Sequence, residues 1–235
     1  MTQKELDLNY KKLLPIIDAS FNSNSFNDNS FNDNLFNEAP LYVSLGEDSE
    51  YYRLFAHVPQ AEFQKRLEEL ILLKGAAWSV SGYLENRATM VKDFPQMQTE
   101  ERFYHLGIDI NLPCGTKLYA PKDCEVTLSK YEDGDGNYGG VTVLKFQTGS
   151  TYYMLFGHLD PESLLTVGTS IKKGESFAVI GDMNQNGNWY YHTHLQILTP
   201  RAYEEGWVSK GYCRKDELST IGDFCPSPFS GCCLI

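Results

Sequence analysis

The 235-residue sequence lacks long apolar runs, and this absence excludes several classes of protein. No stretch approaches the roughly 20 apolar residues that a membrane-spanning helix needs. The amino-terminal sequence has only a short apolar run at 13–17, which Pro15 interrupts and charges flank, and this is not the pattern of a secretory signal. We therefore expect a globular protein that stays in the cytoplasm in which it is made.

Positive charge is also scarce. Lysine and arginine together number 20, against 31 aspartates and glutamates, for a net charge of −11. This balance opposes binding to nucleic acid, to an anionic membrane surface or to an acidic cell wall. We therefore expect no nucleic-acid partner.

The six cysteines have no zinc-ribbon spacing, and without a secretory signal we expect reduced thiols. The final sequence "CCLI" at 232–235 fits the C-a-a-X pattern, which predicts prenylation of Cys232 in a eukaryotic cytosol. That cytosol would be the protein's own or that of a host to which a bacterium delivers it. Membrane association would then depend on lipidated Cys232, and the alternative is an unmodified, small, cysteine-containing tail.

An asparagine-rich stretch at 20–39 carries a phenylalanine at every fifth position. A period of five suits neither a helix face nor a strand face. A pentad solenoid is an alternative, but four units would be too few to bury a continuous core. We predict that 1–39 is a low-complexity, disordered segment. The repeated residues are Phe21, Phe26, Phe31 and Phe36.

The next segment, 40–98, is predicted to be a small α/β accessory region. Its sequences "LYVSL" and "YYRLFAHV" favour short strands, and His57 in the second is interpreted as a structural or surface residue. An amphipathic helix is predicted to begin at Pro59 and to end at Gly75. One stripe of this helix consists of Phe63, Leu67, Leu70, Ile71 and Lys74.

From Trp78 onward the pattern alternates with a period of two, which predicts many short strands and a mainly β, antiparallel domain at 99–200. The turn at 133–138 begins like a calcium loop. It lacks the glycine and glutamate that such a loop requires, so we predict an ordinary hairpin turn. The remaining 201–235 is predicted to be a cysteine-containing tail.

Only five histidines are present, yet His192 and His194 are separated by a single residue. Residues i and i+2 of a strand face the same side, about 7 Å apart. The pair can therefore bind one metal ion together, or one can bind it while the other acts on a substrate.

His105 and Asp109 would lie about 13 Å apart on a straight strand, which is too far for one ion. Gly107 stands between them, and we predict that the chain bends there and brings the imidazole and the carboxylate together. His158 ends an apolar strand, and taken alone it would be a structural histidine.

Together these residues resemble the motifs of the lysostaphin-type, or LytM-like, zinc metalloendopeptidases, over about residues 83–200. The motifs are "HLGID" at 105–109, "LFGHL" at 155–159 and "HTHLQI" at 192–197. The resemblance implies an antiparallel β-sandwich with a groove, of the duplicated hybrid motif kind, with a small α/β embellishment at its amino-terminal side.

The resemblance also implies the site. Zn²⁺ would be bound by His105, Asp109 and His194, and His158 and His192 would act on water and on the tetrahedral intermediate. The implied activity is hydrolysis of peptide bonds, in peptidoglycan-type cross-links or stem peptides.

Tyr191 and Thr193 depart from the family pattern, which has glycine or proline before the last two histidines and an apolar residue between them. Two alternatives stay open. One is a metal-binding, catalytically weak binding or regulatory module on the same fold. The other is a histidine phosphocarrier, which Asp109 disfavours because a carboxylate beside the acceptor would repel phosphate.

Overall fold

The computed structural model describes residues 1–17 and 39–230, and this part of the chain is mainly β, as predicted. Its strands are β1 (Leu41–Tyr42), β2 (Ser79–Ser81), β3 (Tyr104–His105), β4 (Ile108–Asn111), β5 (Lys117–Tyr119), β6 (Cys124–Glu132), β7 (Gly139–Thr148), β8 (Ser150–Leu159), β9 (Ser170–Ile171), β10 (Ser176–Val179), β11 (Thr193–Leu198) and β12 (Tyr212–Cys213). Its α-helices are α1 (Gln3–Asn9), α2 (Leu14–Ile17), α3 (Tyr52–Phe55), α4 (Gln60–Leu73), α5 (Pro95–Thr99) and α6 (Pro200–Glu204). The phenylalanine repeat and the "CCLI" end lie outside the described residues.

Eight strands form one sheet in the order β1-β2-β4-β11-β8-β7-β6-β9, and β10-β5 and β12-β3 form two small sheets. Neighbouring strands within 99–200 are antiparallel, as predicted, and the one parallel pair among the described strands, β1 and β2, lies in the accessory region at 40–98. A parallel pair needs a long crossover, and the chain from 43 to 78, which includes α4, supplies it. The accessory region therefore shares a sheet with the strands that follow it.

The alternating segments of the sequence form strands where they were predicted, namely β5, β6, β7, β8, β10 and β11. β6 and β7 are joined by the turn at 133–138, so the hairpin prediction is confirmed. The main core lies against the large sheet, where inward side chains of β4, β8 and β11 are fully buried.

The predicted amphipathic helix is confirmed as α4, which buries Phe63, Leu67 and Leu70 and is followed by Gly75 with a φ of 69°. The strand predicted for "YYRLFAHV" is wrong, because this sequence forms α3 and a turn. The Phe55 ring lies 4.4 Å from the Phe63 ring, so burial against a helix decides the local conformation of these aromatic residues.

The disorder predicted for 1–39 is wrong for its first part. Residues 3–17 form α1, a short 3₁₀ turn and α2, and Leu6, Leu13 and Ile16 are fully buried in the main core. Thr2 and Glu5 form a capping box at the start of α1. The spaced apolar residues of this segment pack into the core, and their burial stabilises helices in spite of the polar composition.

The segment beyond 200 contributes to the fold as well. β12 pairs with β3, and Tyr212 lies opposite His105. The four cysteines in the described part of the chain are free thiols, as expected, and Cys213 and Cys225 are fully buried. Within residues 1–17 and 39–230, no helix is long and apolar enough to cross a membrane.

Candidate metal centre

His105 and Asp109 lie on either side of a break between two strands. His105 ends β3, which pairs with β12, whereas Asp109 belongs to β4, which pairs with β2 and β11. The chain changes partners around Gly107, and His105 Nε2 comes to 3.1 Å from Asp109 Oδ1. A Cβ on Gly107 would lie 2.4 Å from a backbone oxygen of β11 and 2.8 Å from His194 Cε1. Glycine is needed here because β11 approaches the chain so closely.

His194 lies opposite Asp109 where β11 pairs with β4. Its Nδ1 is 3.4 Å from Asp109 Oδ1, and His192 Nε2 is 3.6 Å from the same oxygen. Directly opposed residues of antiparallel strands bring their side chains together on one face. The two histidines therefore reach one cavity, as their spacing predicts.

His158 reaches this cavity from the end of β8. Its φ of 64° lies in the left-handed region, which residues with a Cβ rarely adopt. The register of β7 and β8 shifts between Gly140 and Thr142, and such irregularities redirect side chains near functional sites. The ring centroids of His158 and His192 are 4.4 Å apart.

The ligand atoms of His105, Asp109 and His194 all lie within 4.8 Å of one another. Each of these residues is at most 2% exposed. Asp109 Oδ1 has three imidazole nitrogens around it but accepts no hydrogen bond from any described residue. A buried carboxylate oxygen without a partner is costly, and a cation at this point would satisfy it.

Hydrogen bonds on the side away from the cavity decide which ring nitrogen of His105 and of His194 carries the proton. His105 Nδ1 lies 2.9 Å from the Gly82 carbonyl oxygen, which can only accept, so Nδ1 donates and Nε2 keeps a lone pair. His194 Nε2 donates in the same way to Gln196 Oε1 at 3.0 Å. The two inner nitrogens therefore face one another across 2.8 Å without a proton between them.

The other two histidines of the cavity are also oriented by hydrogen bonds from Nδ1. His158 Nδ1 donates to the backbone oxygen of Asn186, and His192 Nδ1 donates to that of Tyr190, each at 2.8 Å. Their Nε2 atoms keep the lone pair and are free to accept a proton.

The electrostatics of the cavity favour neutral imidazoles and an ionised carboxylate. Burial lowers the pKa of His105 and of His192 to about 4, and it holds the pKa of His158 well below its usual range. Burial opposes ionisation of Asp109, but His105 and Arg87 outweigh it and hold the pKa of Asp109 well below its usual range. These are the protonation states that bind metal ions.

Arg87, Tyr138 and Tyr190 also line the cavity, and the sequence analysis missed them. Arg87 Nη1 lies 2.6 Å from Asp109 Oδ2, and the Tyr190 hydroxyl donates to the same oxygen at 3.2 Å. The Tyr138 hydroxyl is buried with no hydrogen-bond partner in the described part of the chain. The position of Tyr190 two residues before His192 is a signal that could have identified it, whereas Arg87 lies in a segment without a periodic pattern.

The turn "NGNW" at 186–189 shapes one wall of the cavity. The side chain of Asn186 accepts from Trp189 N at 2.9 Å and donates to Trp189 O at 3.0 Å. The closed turn presents the Asn186 carbonyl to His158. A Cβ on Gly187 would lie 2.0 Å from the backbone oxygen of Asn137, so only glycine fits.

The cavity is small and only partly enclosed. Its volume is ≈ 60 Å³, whereas ligand pockets commonly have about 300–1,000 Å³. The segment 94–97, which we name the cover, borders the cavity through Gln96 and Met97, and its Phe94 ring lies 4.7 Å from that of Trp189. Gln96 Nε2 donates to the Asp135 backbone oxygen at 3.1 Å, so the segment reaches the β6–β7 turn.

The donor set fits zinc. Two imidazole nitrogens and one carboxylate oxygen are ligands that zinc accepts, and three protein ligands leave a position open, as in catalytic zinc sites. Three ligand atoms are available here, namely the inward ring nitrogens of His105 and His194, with their lone pairs, and the carboxylate oxygen of Asp109 that has no partner among the described residues.

Part of this chain is similar to known peptidases. A family model described as Peptidase family M23 matches residues 103–205. Among solved structures, LytU is 30% identical over 40% of this chain and 61% of its own, with a TM-score of 0.34. A zinc containing peptidase from Vibrio cholerae is 26% identical over 41% of this chain and 27% of its own, with a TM-score of 0.35.

The catalytic domain of the antimicrobial peptidase lysostaphin from Staphylococcus simulans is 20% identical over 41% of this chain and 68% of its own, with a TM-score of 0.35. A comparison with curated proteins found no match. The matched part of this chain thus spans less than two thirds of LytU and about a quarter of the Vibrio cholerae peptidase. Residues 103–205, which contain the three motifs, thus match the model of peptidase family M23.

Proposed function

We propose that this protein is a zinc-dependent endopeptidase. The observation that carries the proposal is the convergence of inward imidazole lone pairs on one unpaired carboxylate oxygen. A buried arrangement of this kind is unfavourable without a cation. The match of the surrounding residues to a peptidase family supports hydrolysis of peptide bonds as the reaction.

In this proposal His105, Asp109 and His194 hold the ion. Zinc bound there supplies Lewis-acid chemistry, because it lowers the pKa of a water ligand towards 7 and polarises a carbonyl group. Gly82 and Gln196 keep each imidazole in the tautomer that directs its lone pair inward.

His158 and His192 act as the proton-transfer groups. Both are neutral at pH 7, and each offers an Nε2 lone pair to the cavity while Nδ1 is held by a backbone oxygen. Either can accept a proton from the attacking water and return it to the leaving amine. The unpartnered Tyr138 hydroxyl is available to donate a hydrogen bond to the carbonyl oxygen of a substrate.

We further propose that the substrate is a peptide of the peptidoglycan type, in a cross-link or a stem. The match to peptidase family M23 supports this substrate class. A carboxylate 3.1 Å from His105 Nε2 supports hydrolysis over phosphate transfer, because it would repel a phosphorylated imidazole.

The second candidate function is a metal-binding regulatory module with little turnover. The small cavity favours it, since a peptide is too large for ≈ 60 Å³ and the segment 94–97 borders this space. The two candidates share the metal site and differ in whether a substrate reaches it.

The test combines metal analysis with digestion. Purified full-length protein should contain one zinc per chain and should release peptide fragments from peptidoglycans of different bridge chemistry, and a chelator should abolish release. Zinc without cleavage of any of these substrates would favour the regulatory module. Absence of zinc would refute both, and transfer of phosphate to a histidine would favour the phosphocarrier.

A further inference from the structure

The two carboxylate oxygens of Asp109 have different surroundings. Oδ1 faces the imidazole nitrogens and accepts no hydrogen bond from the part of the chain that the structure describes, whereas Oδ2 accepts from Arg87 at 2.6 Å and from Tyr190 at 3.2 Å. A carboxylate can bind a metal ion through one oxygen or through both. Here one oxygen is already held by the protein.

Arg87 is itself held in place by a second carboxylate. Its Nε and Nη2 lie 3.1 and 2.9 Å from Glu85 Oε2, so the guanidinium spans Glu85 and Asp109. Only the planar, multi-donor geometry of arginine allows both contacts at once. The Arg87 side chain is 1% exposed, and that of Glu85 is 6% exposed.

Glu85 is anchored in turn by the accessory region. Its Oε1 accepts from the Tyr42 hydroxyl at 2.8 Å and from Gly82 N at 3.0 Å. Its Oε2 also accepts from Leu45 N at 3.1 Å. A rigid chain of contacts therefore runs from β1 and the loop that follows it to Asp109.

Tyr190 is fixed by packing on both faces. Its ring stacks on Phe63 of α4 with centroids 4.3 Å apart, and on His192 with centroids 4.2 Å apart. The hydroxyl is thus held towards Asp109 Oδ2 by Phe63 of the accessory region and by His192 beside the metal site.

We propose that Arg87 is a positioning residue of the metal centre, which holds Asp109 Oδ2 so that Oδ1 alone is offered to the ion. This inference rests on the proposed zinc site. It extends the site beyond the family match, because Arg87 and its anchors Glu85 and Tyr42 precede residue 103. The accessory region is then part of the metal centre as well as of the fold.

The experiment measures the zinc affinity of full-length variants by competition with a chromophoric chelator. Arg87→Met combined with Glu85→Gln removes the guanidinium without leaving an unpaired glutamate charge. We expect zinc binding about 10–100-fold weaker, as for other residues that support metal ligands. Arg87→Lys should bind zinc with intermediate affinity, because an ammonium group keeps the charge but cannot span both carboxylates.

Cobalt substitution separates positioning from a general loss of stability. In the double variant Asp109 is free to bind through both oxygens, so the visible absorption spectrum of the Co²⁺ form should change in intensity and position. Thermal unfolding of the metal-free variants shows whether the fold is retained. Arg201→Met is the matched control, since it removes an exposed arginine paired with Glu205 and should leave affinity and spectrum unchanged.

Tyr190→Phe provides a second test that leaves both charges in place. Loss of one hydrogen bond to Oδ2 should weaken zinc binding by about threefold to tenfold. Arg87→Lys decides the role of Arg87 if the double variant does not fold. Native zinc affinity and a native Co²⁺ spectrum in the folded variants would overturn the proposal.

Failure of this inference is distinct from failure of the proposed function. A native protein that binds zinc but cleaves no peptide refutes the endopeptidase and leaves the affinity test valid. A native protein that takes up no zinc or Co²⁺ refutes both.

Discussion

Residues 103–205 supply the histidines and the aspartate of the cavity, whereas Arg87, Phe94 and Tyr212 lie outside that range. The two regions carry different properties. The matched region offers neutral imidazoles with inward lone pairs, and the outer residues supply a fixed charge, a cover and a strand partner for β3. In our proposal the metal ligands lie in one region, and the residues that hold the carboxylate and border the cavity lie in the other.

The largest effect is expected when one of the proposed metal ligands of the matched region is removed. His105→Ala, Asp109→Ala and His194→Ala should each weaken zinc binding by more than about 100-fold, which exceeds the effect of losing a supporting residue, and should abolish cleavage. The zinc content of purified protein measures this. The exposed His57→Ala is the control and should keep its zinc. Loss of zinc from His192→Ala with retention in His194→Ala would exchange the roles of this pair.

The next largest effect concerns the proton-transfer groups. His158→Ala and His192→Ala should keep zinc and lower kcat by about 10²–10⁴, because a general base is lost while the ligands remain. Kinetics on a peptide substrate, with the metal content measured in parallel, check this. Full activity in both variants would remove these residues from the mechanism.

The lowered pKa values predict an acid sensitivity of the metal-free protein. His105 and His192 have a pKa of about 4 when folded and about 6.5 when unfolded, so between these values the unfolded state binds more protons. The free energy of unfolding should therefore fall as the pH is lowered from 6.5 to 4. The thermal midpoint against pH measures this loss, which His192→Gln should reduce. An equal pH dependence in native protein and variant would contradict the prediction.

The smallest effect concerns the cover. Phe94→Ala should open the segment 94–97 and speed the removal of zinc by a chelator several-fold, because local opening limits access to a covered site. Phe55→Ala is the matched control, because Phe55 is a buried phenylalanine of the hydrophobic cluster that also contains Phe94. It does not line the cavity. Equal rates of zinc removal in the two variants would show that the segment does not limit access.

The strands, α4 and the histidine pair could be predicted because each depends on local periodicity. Alternation identifies β8 and β11, and it also places His192 and His194 on one side. His158 could be assigned to the site only through the family resemblance, since its direction depends on a positive φ that no local pattern indicates.

The supporting contacts could not be predicted in this way. Arg87 meets Asp109 across 22 positions of sequence, and the cover depends on a contact between Phe94 and Trp189. Aromatic residues at 51–58 favour a strand until α4 supplies a surface for Phe55. Each of these features depends on tertiary packing, for which a single sequence carries no periodic signal.

The pairing of β2 with β4 has a consequence for shortened forms of the protein. Ser81 lies opposite Asp109 in this pairing, so β2 covers the outer edge of the strand that carries the aspartate. A polypeptide that begins at residue 99 would leave that edge bare, with its amide and carbonyl groups open to another chain. Bare edges promote association between molecules, so such a fragment should form oligomers or aggregates even with every histidine of the cavity in its sequence.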